Sequence, residues 1–193
     1  MKIREERSTD YDYITHVTDA AFAKRDLDPE MLARIAESMA AAGMDPTAMG
    51  KAQTEATGSL SEAQVVETLR RDNALALSLV VEKDGEVIAH IAFSAVRIGA
   101  AHSGWYQLGP VSVRPDLQGQ GIGSALIREG LARLRDSGAK GCVLLGYPPY
   151  YARFGFVLDE AVTWHGRANP ALQRLVFAGP NPSGDVAFHP AFG

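Results

Sequence analysis

Seven consecutive residues, Gln118-Gly119-Gln120-Gly121-Ile122-Gly123-Ser124, stand between a run of strand-forming residues and the start of a helical pattern. Their chemistry is anion binding. The first backbone N–H groups of a helix lack intrahelical acceptors, and the helix dipole adds partial positive charge there. A phosphate suits such a place. Glycine at 119, 121 and 123 removes side chains that would hold a phosphate away. The same composition also makes a tight turn that binds nothing, so spacing has to narrow the choice. Gly119, Gly121 and Gly123 spell G-x-G-x-G rather than the dinucleotide G-x-G-x-x-G, and no Lys-Ser/Thr pair follows as in a P-loop.

Other reactive side chains are few. Cys142 is the single cysteine, which excludes an internal disulfide and a cysteine-rich metal site. It lies between Gly141 and Val143 in an apolar run, a core position rather than that of an acyl-enzyme nucleophile. His90 sits among small and apolar strand residues and reads as a hydrogen-bonded core histidine. His102 falls in a loop and His165 in the tail, and neither is committed to a role. Gln107 on a central strand cannot act as a base. No metal is expected.

The elements that must position the turn follow from periodicity. Ile3-Arg4 opens a short strand. Asp10 precedes a helix with Tyr13, Ile14, Val17, Ala20 and Ala21 on one face. Asp28-Pro29-Glu30 starts a helix whose stripe is Leu32, Ile35, Ala36 and Met39 and whose stop is Gly43. Residues Met44 to Gly58 read as a loop. Ser61-Glu62-Ala63-Gln64 is a capping box ahead of Val65, Val66 and Leu69. Leu75 to Glu82 and Val87 to Val96 form a hairpin about Asp84-Gly85. After a polar break, Trp105 to Val113 is a strand that Gly109-Pro110 must bulge or splay. The glycine turn then enters an amphipathic helix bearing Ile122, Leu126, Ile127, Leu131 and Leu134. Gly141 to Leu145 is a buried strand stopped by Pro148-Pro149. Tyr150 to Phe154 is a short helix, and Phe156 to Leu158 a strand. Further strands are expected near Leu172 to Ala178 and Asp185 to His189. The order indicates an α+β (mixed α/β) class built on one sheet.

Three segments together resemble one family. Gln118-x-x-Gly121-x-Gly123 is similar to the Q/R-x-x-G-x-G/A pyrophosphate loop of the GCN5-related N-acetyltransferases (GNAT). Val111-Ser112-Val113-x-Pro115 precedes it like that family's central strand, and Tyr151-Ala152-Arg153-Phe154-Gly155-Phe156 follows like its Y-x-x-x-G-F segment. Leu108-Gly109-Pro110 looks most like bacterial members. The likeness is strongest from Leu75 to Leu158 and extends to the opening strand and helix.

The resemblance implies a mostly antiparallel, splayed sheet flanked by helices. It implies acetyl-coenzyme A as cosubstrate and transfer to a primary amine, carried by a small molecule or peptide, in a ternary complex. Main-chain groups of Gln118, Gly119, Gln120, Gly121, Ile122, Gly123 and Ser124 would hold the pyrophosphate. The strand Val111, Ser112, Val113 would run beside the pantetheine arm, pairing through Val111 and Val113. Tyr151 would protonate the leaving thiolate, with adjacent Tyr150 as the alternative. The general base is not named by the sequence. Tyr147 stands where similar proteins often carry Asp, so the resemblance implies no substrate contacts at that strand end.

Nineteen Lys and Arg stand against 23 Asp and Glu, a net charge of −4, which argues against a nucleic-acid partner. No apolar run approaches a membrane span or secretory signal, so a cytoplasmic protein is expected, as monomer or homodimer. Residues 1–193 read as a single domain with an insertion at about 28–60 and a strand-bearing tail from about 160. The insertion has three readings: a cover for the acceptor site, a subunit contact, or a packed helix with an idle loop. The alternative function is a catalytically inactive coenzyme A-binding protein that regulates or recruits a partner.

Overall fold

The computed structural model describes residues 1–23 and 60–193, so the helix expected from Asp28 to Gly43 and the loop from Met44 to Gly58 lie outside the described residues. Strand β1 (Lys2–Glu5) and helix α1 (Tyr11–Phe22) form where expected. Helix α2 (Glu62–Arg71) begins at the anticipated capping box. The Ser61 hydroxyl accepts from the Gln64 N–H at 3.2 Å, and the Gln64 side chain accepts from the Ser61 N–H at 2.9 Å. Two orphan donors are thereby satisfied at once.

Strands β2 (Leu75–Lys83) and β3 (Glu86–Ile98) make the hairpin, with Asp84 and Gly85 at φ 52° and 85°. Two positive φ values match the twist of a two-residue turn. Strand β4 (Ala101–Val113) starts earlier than Trp105 because it continues the antiparallel ladder of β3 out to Ile98↔Ala101. Helix α3 (Ile122–Asp136) then crosses over, and β5 (Gly141–Leu145) returns parallel to β4. A crossover helix is what a parallel pair requires.

The remaining elements are α4 (Pro148–Tyr151), β6 (Val157–Leu158), β7 (Val162–Thr163), β8 (Leu172–Val176) and β9 (Gly184–Ala187). Pro148-Pro149 begins α4 as well as ending β5, since proline fits the first helical positions. The principal sheet order is β1-β2-β3-β4-β5-β8-β6, every neighbouring pair antiparallel except β4–β5. This is the mixed α/β architecture expected. The tail does more than append strands. Strand β8 enters between β5 and β6, while β9 pairs with the far end of β3 and with β7, a short strand that periodicity did not reveal.

Helix α3 packs Leu126, Ile127, Leu131 and Leu134 with Ile91, Phe93 and Leu108 on one face of the sheet. Burying each such side chain stabilises by about 1.5–3 kcal/mol. On the other face, Ile14 of α1 and Val66 of α2 meet Val80, Val87 and Ala92. Helices on both faces leave the strand ends, where β4 turns into α3, as the accessible part of the sheet.

Candidate functional site

The glycine turn lies against the end of β4. Gln118 Nε2 donates to the Val113 carbonyl at 2.9 Å, which ties the start of the turn to the strand. Gly119 and Gly121 have φ of 77° and 83°, a region that favours glycine. Nothing lies within 4 Å of a Cβ built at either, so backbone conformation rather than crowding demands glycine there. Gly121 is the N-cap of α3 and no side chain caps the helix. The first helical bond runs from Ala125 N–H to Gly121 O at 2.9 Å, which leaves the N–H groups of Ile122, Gly123 and Ser124 outside the ladder. Three donors without a side-chain cap stand at the positive end of a 15-residue helix, a geometry that can receive an anion. Gly123 is the one glycine of the turn where a side chain would meet neighbours, in ordinary van der Waals contact. A Cβ there would lie 3.4 Å from Val113 Cγ2 and 3.8 Å from the Tyr150 hydroxyl. Gln120 is exposed on the turn.

The outer edge of β4 follows from its register. Arg114 N–H bonds Ile88 O at 2.9 Å, and Ser112 is opposite His90. Residues of an antiparallel ladder alternate in which neighbour they bond. Ser112 and Arg114 therefore face β3, while the main-chain groups of Val111 and Val113 face the other way. Gln118 takes the Val113 carbonyl; among the described residues the Val111 groups and the Val113 N–H stay open along the edge. Ser112 lies apart from this edge: its hydroxyl is buried 3.0 Å from that of Thr18 on α1.

That edge is open because the sheet splays. The β4–β5 pairing consists of Trp105↔Gly141, Tyr106↔Cys142 and Gln107↔Val143. From Leu108 onward the strands part. Across the β3 ladder the register slips between Ile91 and Phe93, opposite Gly109-Pro110. Gly109 has φ 145°, and Pro110 has no N–H to donate. The opening leads into a cleft of about 1040 Å³. Its floor includes Gln107, Leu108, Pro110 and Val111. Leu60, Glu62 and Val65 form a wall from α2 and the residues before it, and Trp164, His165, Arg167 and Asn169 form another before β8.

Tyr151 lines the cleft. Its ring lies against the backbone of Gly146, where a Cβ would be only 2.4 Å from Cε2, and edge-on to Tyr150 and Phe156 with centroids 5.0 and 6.1 Å away. Burial, then the neighbouring Tyr150, pushes the Tyr151 phenol up to about 12, so it is a protonated donor at neutral pH. The adjacent tyrosines have different places. Tyr150 directs its hydroxyl toward Gly123 in the glycine turn.

The remaining reactive groups sort themselves by location. His90 is fully buried outside the cleft; its Nε2 is 2.9 Å from the Ser78 hydroxyl, which donates to Glu6 at 2.6 Å. Glu6 also receives two bonds from Arg70, at 3.0 and 2.9 Å. Burial pushes the His90 imidazole down to about 4. It is the core histidine that its surroundings indicated. Cys142 is buried, and burial pushes its thiol well above the usual range. Among the described residues no group of three His, Cys, Asp or Glu side chains stands together to hold a metal, and no helix is long and apolar enough to cross a membrane. The walls from α2 and from residues 164–169 were not legible as site residues. They arrive from about 45 residues before and 60 residues after Gln107, and no local motif marks them.

A family model described as the acetyltransferase (GNAT) family matches residues 47–156. The uncharacterized N-acetyltransferase YhbS of Escherichia coli (strain K12) is 36% identical over 141 residues, covering 70% of this chain and 81% of that protein. Among solved structures, a GNAT family acetyltransferase from Brucella melitensis in complex with acetyl-CoA is 43% identical with a TM-score of 0.72, covering 100% of this chain and 97% of that one. YhbS from Escherichia coli in complex with CoA is 27% identical with a TM-score of 0.74, over 99% of this chain and 91% of that one.

Proposed function

The chain belongs to the acetyltransferase (GNAT) family, and from that premise we propose that it transfers an acetyl group from acetyl-coenzyme A directly to a primary amine. The observation that carries this reading is the continuity of three features: an uncapped helix N-terminus, a free β4 edge, and a splay that opens into the Tyr151 cleft. A nucleotide thioester has matching parts in the same order. Its pyrophosphate is an anion for the 118–124 turn. Its pantetheine amides can bond like a strand to Val111 and Val113. Its thioester is then led toward the splay.

In the proposed reaction the neutral amine attacks the thioester carbon, a C–N bond forms, and the carbonyl oxygen gains negative charge. A main-chain N–H beside the splay stabilises that oxyanion. The C–S bond then breaks. Tyr151 gives its proton to the departing sulfur: its raised value keeps the phenol protonated until the thiolate forms, and the phenol is still a stronger acid than water. The amine's surplus proton leaves to water, and Tyr151 is reprotonated. The whole chain, residues 1–193, acts as one acyltransferase domain in this reading.

The test is a thermal-shift titration with acetyl-coenzyme A, coenzyme A and NAD on the parent and Gly121→Glu, followed by thiol release with a panel of amines. A ligand at a hundred times its Kd adds about 2.7 kcal/mol of stability. Both coenzyme A forms should raise the parent's melting temperature, NAD should not, and the folded variant should lose the response. No shift with either form at millimolar concentration refutes the reading. Binding without thiol release for any amine leaves a coenzyme A-binding regulator instead.

A further inference from the structure

Gln107, beside the cleft, holds a buried hydrogen-bonding group with no partner among the described residues. It is only 4% exposed, yet its Oε1 has no partner among the described residues, and the residue lines the cleft floor. A buried acceptor left unpaired costs stability unless something else fills it. Ser94, directly across the β3–β4 ladder, does not: its own buried hydroxyl is also unpartnered. Gln107 further occupies the last β4–β5 pair before the strands part. Gln107 therefore stands at the apex of the splay, beside the cleft into which an attacking nucleophile has to arrive.

We infer that Gln107 Oε1 accepts an N–H of the incoming amine and positions it for attack, and that the acceptors are amines of low basicity, such as the α-amine of an amino-acid amide or peptide. This rests on the acetyltransferase reading of the cleft. The class follows from charge. An amide carbonyl satisfies one N–H of a neutral amine but offers no counter-charge to an ammonium in a nearly dry place. Among the described residues, the charged and titratable side chains facing the cleft are Glu62, Tyr151, His165 and Arg167. Glu62 is half-buried on the α2 wall, Arg167 and His165 are exposed, and the carboxylate of Gly193 also borders the cleft; none of them is on the floor with Gln107. No described carboxylate shares the floor with Gln107. The site thus takes the free base already present in solution. At pH 7.5 that is about one third of an α-amine with a pKa near 7.8, and about one part in 800 of a lysine-like amine near 10.4. On attack the new C–N bond forms, the C–S bond breaks, the thiolate takes the Tyr151 proton, and the adduct's surplus proton leaves to solvent through the cleft mouth. Gln107 gains and loses no proton.

The test compares phenylalaninamide with phenethylamine, which differ in amine basicity on a common aromatic frame. The parent, Gln107→Met and Gln107→Glu are assayed for acetyl-coenzyme A-dependent transfer, with the coenzyme A thermal shift read in parallel. The parent should favour the amide by roughly 270-fold in kcat/KM at pH 7.5, with the gap closing about 30-fold by pH 9.5 as phenethylamine deprotonates. Gln107→Met should lower kcat/KM for the amide about tenfold, chiefly through acceptor KM, while retaining the thermal shift. Gln107→Glu supplies the missing charge and should shrink the preference at least tenfold by improving phenethylamine. A parent that uses both amines alike at pH 7.5, a Met variant within twofold of the parent, or a Glu variant with the parent's preference overturns the inference. So does a parent that binds acetyl-coenzyme A but acetylates neither probe. Failure to bind the coenzyme refutes the acetyltransferase reading itself.

Discussion

Replacing Gly146 by alanine should disable Tyr151 without touching it. Gly146 follows β5, and a Cβ there would lie 2.4 Å from Tyr151 Cε2, 3.0 Å from its Cδ2 and 3.2 Å from Leu144 Cδ1. Ordinary carbon contacts begin near 3.5 Å. The ring must therefore retreat by about 1 Å. It can do so, because one side of Tyr151 borders the cleft. Overpacking costs about 1–3 kcal/mol, partly offset by about 0.4–1 kcal/mol from the stiffer unfolded chain when alanine replaces glycine. The fold should survive with a melting temperature a few degrees lower. Catalysis should suffer far more, since a misplacement of about 1 Å costs on the order of 100-fold in rate. The assay is steady-state thiol release by the parent, Gly146→Ala, Tyr151→Phe and the double variant. Gly146→Ala should lose about 100-fold in kcat with little change in the KM for acetyl-coenzyme A. The double variant should be no slower than Tyr151→Phe, because both changes remove one function. A Gly146→Ala enzyme within threefold of the parent, or losses that multiply in the double variant, would refute the placement of Tyr151 as the acid.

Acid stability should report His90. Its folded value of about 4 lies below the ordinary 6.5, so between them the unfolded chain binds the extra proton. The stability associated with neutral His90 is present above pH 6.5 and lost as pH falls toward 4. Denaturant titrations of the parent and His90→Leu should converge by about 1.4 kcal/mol per pH unit across that window, and parallel curves would show that the imidazole is not buried neutral. The alkaline side tests Tyr151. With its phenol pushed up to about 12, it stays protonated through pH 10, so kcat should show no alkaline fall of its making below that pH. A fall near pH 8–9 that disappears in Tyr151→Phe would contradict this.

Local chemistry made much of the protein legible. Ser61 and Gln64 cap one helix whatever lies elsewhere, Asp84-Gly85 turns one hairpin, and Gly121 starts α3, because each depends on groups within a few residues. Periodicity likewise revealed the buried face of α3. The two adjacent tyrosines show where this ends. Which faces the cleft depends on how the ring packs against Gly146 and the aromatic cluster, and no spacing rule separates neighbours in a single helical turn. Gln107 has the same lesson in another form. Its residue type excludes it as a base, but only the end of the β4–β5 pairing shows that its carbonyl lies buried and unpaired at a splay. The tail offered strands without places. Its insertion of β8 beside β5, and its delivery of residues 164–169 to the cleft, are long-range choices set by which sheet edge and core face remained to be covered. The sequence by itself determined the glycine turn, the helices and the hairpin, whose energetics are local. The tertiary structure alone decided which groups meet at the cleft beside Tyr151, because those contacts join segments far apart in the chain and depend on packing rather than pattern.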